Sequence, residues 1–229
     1  MFLLMAEKSV KTIDHDTGRV RIERYVDPKN KYAWPLYDQD PTPGTLVGVD
    51  LAAPALLSYP IKSKILNMFG QSSEYQGEDH RYGELLERMS AFTETPPAGD
   101  FRSIARSVIE NLSTRDFDDE IGGPTDFNRL VVCLDAAKDC EGLTSVAVTK
   151  ILHRKRPDLV PINDSRVRSF YGLKSGYPGL FKAIHSDLND PETFQMLEDL
   201  AKPYVGIDGR PMTVLRALDI IIWMGFEKP

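Results

Sequence analysis

The stretch of sequence that decides the fold runs from residue 141 to residue 168 and is EGLTSVAVTKILHRKRPDLVPINDSRVR. Gly142 follows a helix-forming segment, and the hydroxyl of Thr144 or of the next residue can cap a second helix at its N-terminus. Pro157 ends that second helix, because the residue before a proline disfavours the helical conformation. After a short extended segment, Asp164 is placed to cap a third helix. The stretch therefore predicts two helices joined by a tight turn, then an extended segment and another helix.

Helical spacing of apolar residues extends on both sides of this stretch. Short breaks rich in Gly, Pro and polar residues separate the segments, and their length indicates turns rather than free linkers. We therefore predict a mostly α protein whose helical domain spans residues 46–229. Its first predicted helical segment is 51–57, capped by Asp50. The later predicted helices are 62–69, 81–92, 100–113, 126–140, 145–155, 165–171, 178–186, 191–202 and 212–225.

The N-terminal part shows a different pattern. Apolar and polar residues alternate across residues 10–27, on both sides of the polar cluster Asp14–Gly18, and this pattern is typical of a β-hairpin. Residues 28–45 hold four prolines and a glycine, which predicts a loop. Residues 1–45 are therefore predicted to form a small β-containing N-terminal extension.

Composition excludes several classes of protein. The chain has 229 residues, 41% hydrophobic and 27% charged, which is typical of a globular protein. Two cysteines are too few for a disulfide scaffold or a four-cysteine metal site. The opening MFLLM is too short for a signal peptide, and no apolar run is long enough to cross a membrane, so a cytoplasmic location is expected. The four histidines stand singly and no nucleotide-binding glycine motif occurs, so neither a metal nor a cofactor is predicted.

Charge is distributed unevenly. The formal net charge is −6, yet residues 150–174 contain seven basic and two acidic residues, a local charge of +5. Two interpretations are open: one edge of the protein binds a polyanion, or the basic residues complement the dipole of a solvated helix end. The basic residues are Lys150, Arg154, Lys155, Arg156, Arg166, Arg168 and Lys174.

Residues 140–172 resemble the helix-hairpin-helix DNA glycosylase superfamily, in which a glycine-rich hairpin holds a DNA phosphate and a catalytic aspartate begins a later helix. The 22 positions from Gly142 to Asp164 match that arrangement. The resemblance implies a helix-hairpin-helix-like core within residues 126–172 and DNA as the partner. It implies that Asp164 is catalytic, and that nucleic acid is contacted by Gly142, Thr144, Lys150, Arg154, Lys155, Arg166 and Arg168.

Two departures from the superfamily pattern limit the chemistry that the resemblance implies. Thr144 stands where the second hairpin glycine is expected, and a β-branched residue resists a positive φ. Val146 stands where lyase-competent members carry a nucleophilic lysine, although Lys150 lies one turn further on. The implied enzyme is therefore a monofunctional N-glycosylase that uses Asp164. In the alternative interpretation Asp164 is an ordinary helix cap.

A second resemblance covers more of the chain. Residues 50–57, 150–164 and 215–224 are similar to an actinobacterial family of uncharacterised proteins. Two functions are therefore expected: a DNA-binding protein of the base-excision type, or a non-enzymatic protein-interaction module that keeps the fold without the chemistry. Asp219, in the most apolar helix, requires a partner, and an ion pair with Arg216 is predicted.

Overall fold

The computed structural model describes residues 9–34, 36–40, 42–70, 80–95, 99–112, 126–206 and 208–227. Within these ranges the chain is mostly α-helical, as predicted, and contains eleven α-helices. They are α1 (His15–Val26), α2 (Gly48–Ala52), α3 (Ser63–Gly70), α4 (His80–Glu94), α5 (Arg106–Glu110), α6 (Asp126–Ala136), α7 (Ser145–Lys155), α8 (Ser165–Phe170), α9 (Pro178–Asn189), α10 (Pro191–Ala201) and α11 (Val214–Met224). Short 3-10 helices occur at Val10–Thr12, Pro28–Asn30, Ala53–Leu57 and Ala137–Asp139.

The predicted N-terminal β-hairpin is wrong, because most of that segment is the helix α1. Asp14 does not sit in a hairpin turn; its carboxylate accepts a hydrogen bond from the backbone N–H of Thr17 at 2.8 Å and caps the helix. The residues that α1 buries are Gly18, Ile22 and Tyr25, which share one helical face. Val20, which contributed to the apparent alternation, is 54% exposed.

Two helices form the centre of the core. In α11 every residue from Leu215 to Ile222 is buried, and the helix packs against α1, α8 and α10. In α7 the buried run extends from Ala147 to Lys155, and the helix packs against α4, α6 and the 3-10 helix Ala53–Leu57. Because a helix this deeply buried has no solvent-facing side, its charged residues must find partners inside the protein.

The turn between α6 and α7 contains Gly142 and Thr144, whose backbone conformations differ. Gly142 has φ +79°, in the left-handed region that glycine adopts without strain. Thr144 is the N-cap residue of α7 with φ −128°, which is extended backbone and suits a β-branched side chain. The turn therefore places glycine where φ is positive and threonine where the backbone is extended.

After α7, residues 157–159 form a hydrogen-bonded turn, and residues 160–163 without regular secondary structure lead to α8, which begins as predicted. Asp164 is the N-cap residue of α8, and its Oδ1 accepts a hydrogen bond from the backbone N–H of Arg166 at 2.8 Å. None of the helices in the described ranges combines the length and the apolar character needed to cross a lipid bilayer.

Candidate functional site

A cavity of about 340 Å³ opens beside the N-terminus of α8. This volume falls within the range of small-molecule sites, roughly 300–1,000 Å³. Segments from distant parts of the chain form its wall: α1, α7, α8, α11, the loop after the 3-10 helix Pro28–Asn30 and the 3-10 helix Ala53–Leu57. The lining residues used below are Tyr25, Tyr32, Lys150, Asp164, Arg166, Arg216, Asp219 and Trp223.

Asp164 is one of the acidic groups of this cavity and is held in one position from two sides. Its Oδ1 accepts the helix-capping hydrogen bond, and its Oδ2 accepts a hydrogen bond from Lys150 Nζ at 3.1 Å. Lys150 Nζ is itself fixed by a second hydrogen bond, to the Leu57 carbonyl at 2.9 Å. Asp164 is therefore a helix cap, as the alternative interpretation holds, and also a carboxylate that faces a cavity.

Asp219 supplies a second carboxyl group to the same cavity. The predicted ion pair with Arg216 is present, with 2.5 Å between Arg216 Nη1 and Asp219 Oδ2. The other oxygen, Oδ1, is buried and has no hydrogen-bond partner among the described residues. Burial raises the pKa of Asp219 to about 6; the Arg216 cation opposes this effect, and the Asp164 carboxylate adds to it. Asp164 and Asp219 thus differ in their surroundings, and a third carboxyl group of the lining, Glu227, pairs with Arg166.

Arg216 connects Asp219 to the loop before α2. Its guanidinium binds both carboxylate oxygens of Asp38, at 2.7 and 3.0 Å, and donates to the Tyr25 hydroxyl at 2.8 Å. A planar guanidinium that makes several charge-assisted bonds is a rigid support. It holds Asp219 Oδ2 in place and leaves Oδ1 directed away from the ion pair.

One wall of the cavity is aromatic. The rings of Tyr25 and Tyr32 stack with centroids 5.3 Å apart, and Trp223 meets them edge-on at 6.4 and 5.9 Å. The Arg166 guanidinium lies 4.3 Å from the centre of the Trp223 ring. Such a wall offers a surface to a planar ligand through stacking and edge contacts.

Three residues predicted to contact nucleic acid are not exposed. Lys150 pairs with Asp164, as described, and Arg154 pairs with Asp50. Lys155 Nζ lies 2.7 Å from Asp50 Oδ2 and 3.0 Å from Asp40 Oδ1. The neighbouring Arg156 is likewise buried, against Asp126. These side chains hold the protein together internally and do not form a basic surface.

The other predicted contact residues do lie at the surface. Gly142 and Thr144 are exposed at the start of α7, and the Thr144 hydroxyl is 2.8 Å from the Tyr59 hydroxyl. Arg166 is 37% exposed in its side chain and pairs with Glu227, while Arg168 bonds to the side chain of Asn163. Of the predicted site residues, the cavity brings together Lys150, Asp164 and Arg166; Gly142, Thr144, Arg154, Lys155 and Arg168 lie outside its lining.

Sequence reasoning did not identify the aromatic wall. Tyr25 was assigned to a strand and Tyr32 to a loop, so neither was considered as a cavity residue. For Trp223 a signal existed, since it lies four residues after Asp219, one turn further along the most apolar helix. In the described part of the chain, no group of three or more His, Cys, Asp and Glu side chains is arranged to hold a metal ion.

Comparison with known proteins gives a family. No curated protein and no solved structure matches the chain. The model of a family of unknown function, DUF6308, matches residues 103–225, which include α7, Asp164 and all of α11. Because that match covers more than half of the chain, the protein belongs to the DUF6308 family.

Proposed function

We propose that this protein binds DNA in the manner of base-excision enzymes and cleaves the bond between a base and its sugar. In this proposal the cavity receives one nucleobase turned out of the duplex. The observation that carries the proposal is the position of Asp164, a carboxylate fixed by a helix N-terminus and by Lys150 and facing a cavity with an aromatic wall.

The chemistry of the cavity suits such a ligand. Tyr32 and Trp223 offer ring faces and edges to a planar heterocycle, and stacking of a base on an aromatic side chain is worth about 1–3 kcal/mol. Asp164 would stabilise the positive charge that develops on the sugar as the carbon–nitrogen bond breaks. Water then adds its oxygen to the anomeric carbon, and its two protons end on the free base and on the new hydroxyl group.

Contacts to the DNA backbone would come from the surface residues. The exposed turn at Gly142 precedes α7, and Asp164 lies 22 positions later, the spacing that resembles a helix-hairpin-helix core. Arg166 and Arg168 lie on the helix that Asp164 caps, so a phosphate bound there would be close to the cavity. Of the buried basic residues of α7, Lys150 fixes Asp164 in place, and Arg154 and Lys155 have no part in this proposal.

A second candidate is a non-enzymatic protein-interaction module, and burial of the basic residues favours it. Arg154 and Lys155 are neutralised by Asp40 and Asp50, which removes much of the positive charge expected for a DNA-binding surface. In this alternative Asp164 and Lys150 are a structural ion pair, and the chain binds no nucleic acid.

Binding to DNA is tested by fluorescence anisotropy with labelled duplexes, intact or carrying an abasic-site analogue, at two salt concentrations. The wild-type protein is compared with the double variant Arg166→Ala/Arg168→Ala. The control is Arg106→Ala, which removes an arginine that is 85% exposed on α5, away from the cavity. Two phosphate contacts correspond to a slope of about −2 in log affinity against log salt. We expect preference for the abasic duplex, which the double variant loses and the control keeps; absence of binding at low salt favours the interaction module.

Catalysis is tested separately by release of free bases from DNA that carries damaged bases, measured by chromatography. Asparagine also caps helices, but Asp164→Asn removes the charge partner of the buried Lys150, so cooperative thermal unfolding is measured first. We expect the folded variant to release no base. Release at the wild-type rate by Asp164→Asn would remove Asp164 from the mechanism.

A further inference from the structure

We propose that Asp219 selects the ligand of the cavity: its Oδ1 accepts a hydrogen bond from an exocyclic amine on the heterocycle. This inference deepens the proposed function, since it names what the same cavity recognises. It rests on Asp219, which lines the cavity and whose Oδ1 is buried and has no hydrogen-bond partner among the described residues.

The surroundings of Asp219 determine which of its two carboxylate oxygens is available to a ligand. Oδ2 is bound to Arg216, and Arg216 is held in turn by Asp38 and Tyr25. The carboxylate therefore cannot rotate to exchange its oxygens without breaking a charge-assisted bond. Asp219 is 7% exposed, so water has little access to Oδ1. A buried hydrogen-bond acceptor without a donor destabilises the protein, and a hydrogen bond donated by a ligand amine would offset that cost.

An ionised carboxylate only accepts hydrogen bonds, so it discriminates between ligand donors and ligand acceptors. A heterocycle that presents an amine gains a bond to a charged group. One that presents a lone pair at the same place leaves two acceptors facing each other. A hydrogen bond to a charged group contributes enough to give a preference of roughly tenfold or more for the amine-bearing ligand.

The preference depends on pH, because the protonated carboxyl group becomes a donor. The groups that face Asp219 are Arg216 on its own helix, Tyr25 on α1, Asp38 in the loop before α2, Lys150 on α7 and Asp164 at the start of α8. With the pKa of Asp219 raised to about 6, chiefly by burial, the carboxylate form prevails above that pH. Preference for the amine-bearing ligand is therefore greatest at pH 7 and above and diminishes as the pH falls below about 6.

The experiment uses two free bases that differ in one group, adenine and purine, of which adenine alone carries the exocyclic amine. Trp223 lines the cavity and reports binding by its fluorescence. Trp34, the second tryptophan of the chain, is replaced by phenylalanine in every protein used. We expect adenine to bind at least about tenfold more tightly than purine at pH 7.5, with the difference shrinking at pH 5.

The main variant is Asp219→Asn. Its amide oxygen remains with Arg216, which only donates, so its NH₂ group occupies the place of Oδ1 and offers donors. We expect the preference to disappear or to turn toward purine, without dependence on pH. Asp187→Asn is the matched control, since Asp187 is a buried aspartate on α9 that accepts hydrogen bonds from Val10 N–H and the Tyr171 hydroxyl, outside the cavity lining.

Each outcome decides the inference. A preference for adenine that Asp187→Asn keeps and Asp219→Asn loses supports it, provided that both variants unfold cooperatively. Equal affinity for the two bases, an unchanged preference in Asp219→Asn, loss of preference in Asp187→Asn, or no Trp223 response to either base overturns it. The DNA proposal is decided independently, because anisotropy and base release with Asp164→Asn do not depend on how Asp219 discriminates.

Discussion

Replacement of Lys155 by methionine is the sharpest test of the internal charge network. The Lys155 ammonium group has no exposed surface and is surrounded by oxygens: Asp50 Oδ2 at 2.7 Å, Asp40 Oδ1 at 3.0 Å, and the carbonyls of Thr42 and Thr45 at 2.8 and 2.7 Å. Methionine keeps the length and apolar stem of the side chain but supplies no donor and no charge. The substitution therefore isolates the loss of the cation.

The expected loss is large because the two carboxylates remain buried. Arg154 still pairs with Asp50, but Asp40 loses its cationic partner, and one of its oxygens already has no hydrogen-bond partner among the described residues. Removing one partner from a buried ion pair destabilises a protein by about 3–5 kcal/mol. For a chain of this size, that corresponds to a decrease of about 6–20 °C in Tm.

Thermal unfolding followed by circular dichroism measures the effect, and Lys174→Met is the matched control. Lys174 belongs to the same basic segment of the sequence, but its side chain is exposed. Its replacement should change stability by no more than about 0.5 kcal/mol. If Lys155→Met and Lys174→Met unfold at the same temperature, Lys155 is a surface residue and the network described here does not exist in solution.

Two further substitutions test the turn before α7 and the buried histidine. Gly142→Ala should lower the free energy of unfolding in urea by about 1–2 kcal/mol, because alanine is strained at φ +79° and its Cβ would lie 3.0 Å from Ile65 Cδ1. Gly44→Ala is the control and should leave the stability unchanged, since a Cβ at position 44 has no neighbouring atom within 4 Å. Burial, with added repulsion from nearby arginines, lowers the pKa of His153 from 6.5 to about 3, so on acidification through this range the unfolded chain takes up a proton that the folded protein does not. The free energy of unfolding of the wild type should therefore decrease as the pH falls from 6.5 toward 3. His153→Phe should reduce the slope of this free energy against pH by up to about 1.4 kcal/mol per pH unit. An unchanged slope would show that His153 titrates normally.

The helical body was predictable because its signals are local. Apolar periodicity, the caps at Thr144 and Asp164 and the break at Pro157 all act over a few residues, and the structure has α7 at the predicted residues 145–155. The ion pair between Asp219 and Arg216 was predictable for the same reason, since residues three apart meet on one helix.

The N-terminal helix was missed because two periodicities overlap there. Asp14 and Gly18 occur both in hairpin turns and at the start of helices, and the apolar residues of the segment alternate. The structure resolves the ambiguity through α10 and α11, which pack against α1. A Cβ at position 18 would lie 2.8 Å from Leu200 Cδ1, so α1 needs glycine there only once α10 is in place. Tertiary packing, which the local pattern does not contain, decides the conformation.

The cavity and the charge network could not be predicted because both join residues distant in sequence. Lys155 meets Asp40 across 115 positions and Arg154 meets Asp50 across 104. The charge of +5 over residues 150–174 was counted correctly, but a sum over one segment does not include the acids that fold against it. The same pairing explains how α7 carries basic residues at the centre of a core, where unpaired charges would be strongly unfavourable. It also bears on function, because cations that are neutralised inside the core add little to the positive charge that would attract a polyanion to the surface.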